Sequence, residues 1–168
     1  MEIIIISSTL LISAILNILF QKEFIKRNIL DKITNRSSHQ SIATRSGGSS
    51  IFSSLFFISV FFYLNNNEIY DFSFLIPIGI MLFVGLYDDI YKLDFKLKFI
   101  FQIIVAKIII DNGLIIDNLH GIFGVFELSR ILGQLFTIFI IVAIINSINF
   151  IDGIDGLAIA VITLFLLS

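Results

Sequence analysis

The chain has 168 residues, a formal net charge of −2, 57% hydrophobic residues and only 14% charged ones. Its mean hydropathy is +1.01. Ordinary soluble domains are about a quarter charged, and a soluble fold of this length cannot bury so much apolar surface. The composition therefore points to an integral membrane protein. There is no cysteine, which excludes disulfides and thiolate chemistry. No basic tract or RNA-binding signature is present, so no nucleic-acid partner is expected.

The first element is "MEIIIISSTLLISAILNILF". A secretory signal needs a positively charged start and a small-residue cleavage site. Glu2 followed by an unbroken run of bulky apolar residues fits a first transmembrane helix instead. In chain order the apolar segments are Ile3–Phe20, Gly47–Leu64, Phe72–Tyr87, Phe95–Ile110, Ile131–Ile145 and Gly156–Leu167. The expected fold is all-α: a polytopic membrane helical bundle of about six transmembrane segments in one membrane domain, residues 1–168. The last stretch, Gly156–Ser168, is about 20 Å long as a helix, against a hydrocarbon core of about 30 Å. A carboxylate ending there would sit at membrane depth, where charge is costly. The expectation is that the chain is the N-terminal part of a longer fold.

Charge orients the segments. Lys22, Lys26, Arg27, Lys32, Arg36 and Arg45 lie between the first two, and Lys92, Lys96 and Lys98 follow the third. These are nine of the eleven basic residues. By the positive-inside rule both loops are cytoplasmic and the N-terminus is outside. Counting onward, the segment after Ile145 reaches the same face. The other loops read as spacers.

Three polar stretches then share one face. In "NSINFIDGIDG", Asn146, Asn149, Asp152 and Asp155 recur every three residues, a ladder on one side of a helix end. Gly153 and Gly156 permit a turn or a close ligand approach. Asp-Gly is also ordinary turn and cap chemistry, but unpaired carboxylates beside a bilayer are usually functional. In "GLYDDIYKLDFKLKFIFQ", Asp88, Asp89 and Asp94 offer hard oxygen donors for a divalent cation. Lys92, Lys96 and Lys98 offer positive charge for phosphate; simple charge balance is the alternative. In "DKITNRSSHQSIATRSGG", Arg36 and Arg45 suit phosphate. Gly47 and Gly48 open a helix whose N–H groups can meet an anion, and His39 suits acid–base or phosphate contact. The arginines also serve as topology signals.

These stretches resemble the polyprenyl-phosphate N-acetylhexosamine-1-phosphate transferases. Asp31, Arg36, Ser37, His39, Arg45, Gly47 and Gly48 keep the spacing of that family's first loop. Ile33, Ile42 and Thr44 stand where prolines are usual, and Ser46 replaces a glycine. Asp88, Asp89, Leu93, Lys98 and Gln102 match its second pattern, with Phe99 for a leucine. Asn146, Asn149, Asp152, Gly153, Asp155, Gly156, Leu157 and Ala158 complete its third. The stretch "LHGIFGVFELS" is similar to its extracytoplasmic hairpin. The family's later Gly-Asp-x-Gly-Ser and histidine-rich loops are not in this sequence.

The resemblance implies an enzyme of the bacterial inner membrane, multi-pass, with its active loops cytoplasmic. The implied reaction transfers N-acetylhexosamine-1-phosphate from a UDP-sugar to polyprenyl (undecaprenyl) phosphate, releases UMP and serves cell-envelope polysaccharide synthesis. It implies Mg2+, with Mn2+ the alternative ion. Asp88, Asp89, Asp152 and Asp155 become catalytic candidates, Asp152 and Asp89 metal ligands. Asn146, Asn149, Lys98, Arg36, His39, Arg45, Gly47 and Gly48 become substrate-binding candidates. Which aspartate acts on a proton stays open, because a phosphate monoester is already mostly dianionic at neutral pH. The partners expected are the lipid, the UDP-sugar, and a second copy or a complementing C-terminal half. Two further readings stand beside this one: a non-catalytic half-protein, and a cation-coupled transporter. Transporters hold such acids at the bilayer midplane, whereas these lie beside basic loops.

Overall fold

A computed structural model describes residues 2–30, 44–65, 72–151 and 157–167. Six α-helices account for most of them: α1 (Glu2–Lys26), α2 (Gly47–Leu64), α3 (Leu75–Tyr91), α4 (Phe95–Asp111), α5 (Arg130–Ile151) and α6 (Leu157–Leu167). No strand forms among the described residues beyond one isolated bridge, Asn118 to Glu127. Three helices are long and apolar enough to cross a membrane: α1, α2 and α5. The protein is an all-α, polytopic membrane protein, as its composition requires. Lipid cannot hydrogen-bond a backbone, and a helix satisfies its own.

Each expected segment forms a helix, and α2 has the expected bounds. Three others run further. α1 continues through Lys22 and Lys26, α3 through Asp88 and Asp89, and α5 through Asn146 and Asn149. Polarity ends an apolar segment but not a helix: Lys, Glu and Gln are good helix formers, and Asp or Asn costs only about 0.7 kcal/mol relative to Ala. Asp88 and Asp89 thus stand on the last turn of α3 rather than in a loop. Asp94 has extended backbone and caps α4, accepting from the Lys96 N–H, the position where an aspartate is preferred.

The helices fall into two compact units. In the first, α2 packs on α1 and α3. The buried side of α2 is a row of serines, Ser49, Ser50, Ser54 and Ser59, around Ile58. Small residues let membrane helices approach closely, where no hydrophobic force draws them together. The Ser50 and Ser54 hydroxyls turn back onto the Gly47 and Ile51 carbonyls, at 2.7 and 2.8 Å. The Phe52 ring lies over Gly79 of α3, where a Cβ would come within 3.2 Å of it.

In the second unit α4 packs against α5, and α6 follows on α5. Val105, Ala106 and Ile110 are the buried apolar residues of α4, and Val142 that of α5. The connection between α4 and α5 is a small hairpin rather than a spacer. Leu119 N–H donates to the Phe126 carbonyl at 2.7 Å, and Leu128 N–H to Asp117 at 2.7 Å. One side chain fastens it to the helices. Thr137, 3% exposed, accepts from the Ile116 N–H at 2.9 Å and donates to the Gly133 carbonyl at 2.7 Å. Gly133 leaves room for this contact, since a Cβ there would be 3.0 Å from the Ile116 carbonyl oxygen.

Thr137→Val keeps the shape but orphans the Ile116 N–H. The expected loss is about 1–3 kcal/mol. It is read as a lower unfolding midpoint in detergent, with faster hydrogen exchange at Ile116 than in the unaltered protein.

Candidate functional site

Each unit gathers part of the candidate site. In the first, the chain enters α2 through Thr44, Arg45 and Ser46. Ser46 is 1% exposed. Its hydroxyl donates to the Asn17 side-chain oxygen of α1 at 3.0 Å and shares a hydrogen bond with Thr44 at 3.1 Å. This anchored turn presents Arg45 to the end of α3, where its guanidinium forms an ion pair with Asp89. Asp89 lies beyond the apolar stretch that ends at Tyr87. Burial raises its carboxyl above the usual range, and the Arg45 charge beside it pulls in the opposite direction. The pair holds the Arg45 guanidinium in one place, and a fixed guanidinium suits contact with carboxylate or phosphate oxygens. Gly47 and Gly48 are the first residues of α2, and nothing crowds Gly47 within 4 Å.

Asp88 adjoins Asp89 and is half-buried. The backbone turns sharply just after, with Lys92 at φ +58° closing α3. Among the described residues no three carboxylate or imidazole side chains gather into one group. The donors present are two adjacent carboxylates. Neighbours on a helix do not face one another, so one of them at a time matches the one or two carboxylates that Mg2+ takes when phosphates and waters supply the rest.

In the second unit, Gln102 of α4 and Asn146 of α5 exchange hydrogen bonds. Asn146 Nδ2 donates to Gln102 Oε1 at 2.8 Å, and Gln102 Nε2 to Asn146 Oδ1 at 3.4 Å. Asn146 Nδ2 also reaches the Val142 carbonyl at 2.8 Å. Gln102 is 5% exposed. Lys98 stands one turn before Gln102 on the same side of α4, and Asn149 is exposed one turn beyond Asn146. Gln102 of the second sequence pattern and Asn146 of the third are thus tied together through one amide pair. Beside it lies an apolar cavity of about 340 Å³, lined by Phe99, Ile103, Phe139, Val142 and Asn146 among others.

Arg36, His39, Asp152 and Asp155 lie outside the described residues. Asn17, Ser46 and Gln102 join the site only through the structure. Gln102 leaves a signal in the sequence, as the last residue of the second pattern. Asn17 leaves a fainter one: a lone amide in an apolar helix needs a partner.

Gln102→Leu removes that partner from Asn146 in an apolar setting. Asn146 is part-buried and keeps the Val142 carbonyl as a partner, so the loss is that of one hydrogen bond, about 0.5–1.5 kcal/mol. The variant is expected to unfold earlier in detergent, and Gln102→Leu combined with Asn146→Leu to recover part of the loss, because both polar groups are then gone.

Comparison with known proteins bears on both units. The sequence profile of Glycosyl transferase family 4 matches residues 71–168. The undecaprenyl-phosphate alpha-N-acetylglucosaminyl 1-phosphate transferases of Salmonella typhi and of Salmonella typhimurium strain LT2 are each 34% identical to the chain over 123 residues. That match covers 72% of this chain and 33% of either relative, so the chain spans about a third of the length of the curated relatives it matches. No solved structure matches. With more than half its residues under the profile, including α3 with its paired aspartates and the whole asparagine–aspartate ladder, the chain belongs to glycosyl transferase family 4.

Proposed function

We propose that this chain forms the lipid-phosphate and nucleotide-facing part of a polyprenyl-phosphate N-acetylhexosamine-1-phosphate transferase. The observation that carries the reading is the Arg45–Asp89 pair. It sets a fixed cation and a carboxylate at the helix ends, in a chain whose family and relatives transfer sugar phosphates. In the proposed reaction an oxygen of the polyprenyl phosphate attacks the β-phosphorus of the UDP-sugar. The bond from that phosphorus to the bridging oxygen breaks, and UMP leaves with the electron pair. The lipid then carries the sugar through a pyrophosphate.

Such a transfer needs little covalent help from the protein; positioning and charge neutralisation do most of the work. Arg45, with Arg36 and Lys98, is suited to hold phosphate oxygens. An arriving phosphate competes with Asp89 for Arg45 and releases the carboxylate toward a metal. Asp89 and Asp152 would hold Mg2+, or Mn2+ in its place, with Asp88 and Asp155 completing the acidic set. When bound, the ion neutralises pyrophosphate charge as it develops. The first turn of α2 at Gly47 and Gly48 offers backbone N–H groups to the same anion, and His39 a further contact. Asn149 and Asn146, one turn apart on α5, would meet the nucleotide. All of this belongs on the cytoplasmic face of a bacterial inner membrane, because the basic residues concentrate on those turns. There it would serve cell-envelope polysaccharide synthesis.

The test joins the chain to the remaining part of the Salmonella typhi enzyme, in lipid with undecaprenyl phosphate, UDP-N-acetylglucosamine and Mg2+. UMP release is expected, and Asp152→Asn is expected to lower it at least ~100-fold while the protein stays folded, since it removes charge at the pyrophosphate. Near-normal release by Asp152→Asn would reduce the ladder to a turn and a helix cap.

A further inference from the structure

The hairpin between α4 and α5 takes no part in the candidate site. Its backbone is closed by its own hydrogen bonds, including Gly121 N–H to the Val125 carbonyl at 2.9 Å. Its apolar side chains are left outside. Leu114, Ile122 and Phe126 are exposed, and Phe123 is 97% exposed. Phe123 also holds φ +54°, between Gly121 at +87° and Gly124 at +76°. A left-handed backbone is uncommon and strained for an aromatic residue. The tip therefore accepts strain in a conformation that turns a phenyl ring outward.

What covers that ring follows from the tether. The hairpin is held between Asp111, the end of α4, and Arg130, the start of α5, and α5 is long and apolar enough to cross a membrane. α4 has 17 residues, about 25 Å of helix against a core of about 30 Å. The apolar residues that follow, Leu114 to Ile116, thus begin within reach of lipid. On the other side Ile131, Leu132 and Leu135 of α5 are exposed, so the apolar surface of the hairpin continues into the lipid-facing surface of the helix. The polar residues Asp117, His120 and Glu127 are exposed on the same small unit. An apolar tip with aromatic rings and a polar rim is the pattern of groups that settle at a membrane–water interface.

We propose that the tip formed by Ile122, Phe123 and Phe126 is an interfacial anchor, inserted at the boundary of headgroups and acyl chains in the leaflet nearest the hairpin. It fixes the depth of α4 and α5, and with them the height of Lys98 and Asn146 at the opposite ends. This holds whether or not the transferase reading does.

The chain has no tryptophan, so Phe123→Trp places a single reporter at the tip. The full chain is reconstituted in phosphatidylcholine vesicles. Lipid brominated near the headgroup end of its acyl chains is expected to lower the emission about twofold, as for an interfacial aromatic. Lipid brominated near the methyl end is expected to quench it less, and aqueous iodide only weakly. Phe139→Trp, on an exposed mid-helix position of α5, reports insertion and is expected to show the reverse order for the two lipids. Ile122→Trp repeats the measurement should Phe123→Trp misfold. If either tip reporter ignores brominated lipid and is strongly quenched by iodide while Phe139→Trp shows insertion, the anchor is overturned. The tip then belongs to water or to a protein partner.

Discussion

Everything in this protein is arranged around the absence of water along most of its length. In hydrocarbon, each polar group must find its partner within the protein. The described polar groups within the helices largely obey. Thr137 bridges two backbone groups, Ser50 and Ser54 fold back onto their own helix, and Gln102 and Asn146 meet as a complementary amide pair. Ser49 is an exception among the described residues of α2, a buried hydroxyl with no partner. Full charges are pushed toward the helix ends. The same constraint that forbids acids along the spans therefore concentrates them where the phosphate chemistry is proposed to take place.

Much of this architecture is legible in the amino-acid sequence. Apolar runs mark all six helices, and Gly47 and Leu64 bound α2 as expected. Hydropathy locates the spans but not their ends. Lys22, Asp89 and Asn149 are polar enough to close an apolar segment, yet Lys continues a helix readily and Asp or Asn at a cost of only about 0.7 kcal/mol. The catalytic candidates are legible as types and spacings. Their pairings are not. Arg45 and Asp89 are 44 residues apart, as are Gln102 and Asn146, and no local periodicity links positions so distant. The hairpin is legible only through the resemblance of "LHGIFGVFELS" to a family hairpin, because a single bridge carries no alternating pattern of its own. Its turn instead rests on residues held at positive φ.

The two kinds of pairing do different work. The amide pair in the second unit joins α4 to α5 side chain to side chain and helps set their register. In the proposed site the ion pair of the first unit is exchangeable, with Arg45 passing to a phosphate and Asp89 to a metal ion. Asn17 and Ser46 hold the turn that carries Arg45. A rigid frame around an exchangeable charge pair is what phosphoryl transfer asks of a protein, where placement supplies most of the rate.

The proposed site requires the three polar stretches to share the cytoplasmic side of the membrane. A chain without cysteine makes this direct to measure. Single substitutions Ser38→Cys, Ile90→Cys, Ser147→Cys and Asn66→Cys are exposed in intact cells to a membrane-impermeant thiol reagent. The expected result is labelling of Asn66→Cys alone, with the other three reacting only after the membrane is opened. Labelling of Ile90→Cys or Ser147→Cys from outside would place the paired aspartates or the asparagine ladder on the wrong side, and would contradict the proposed site.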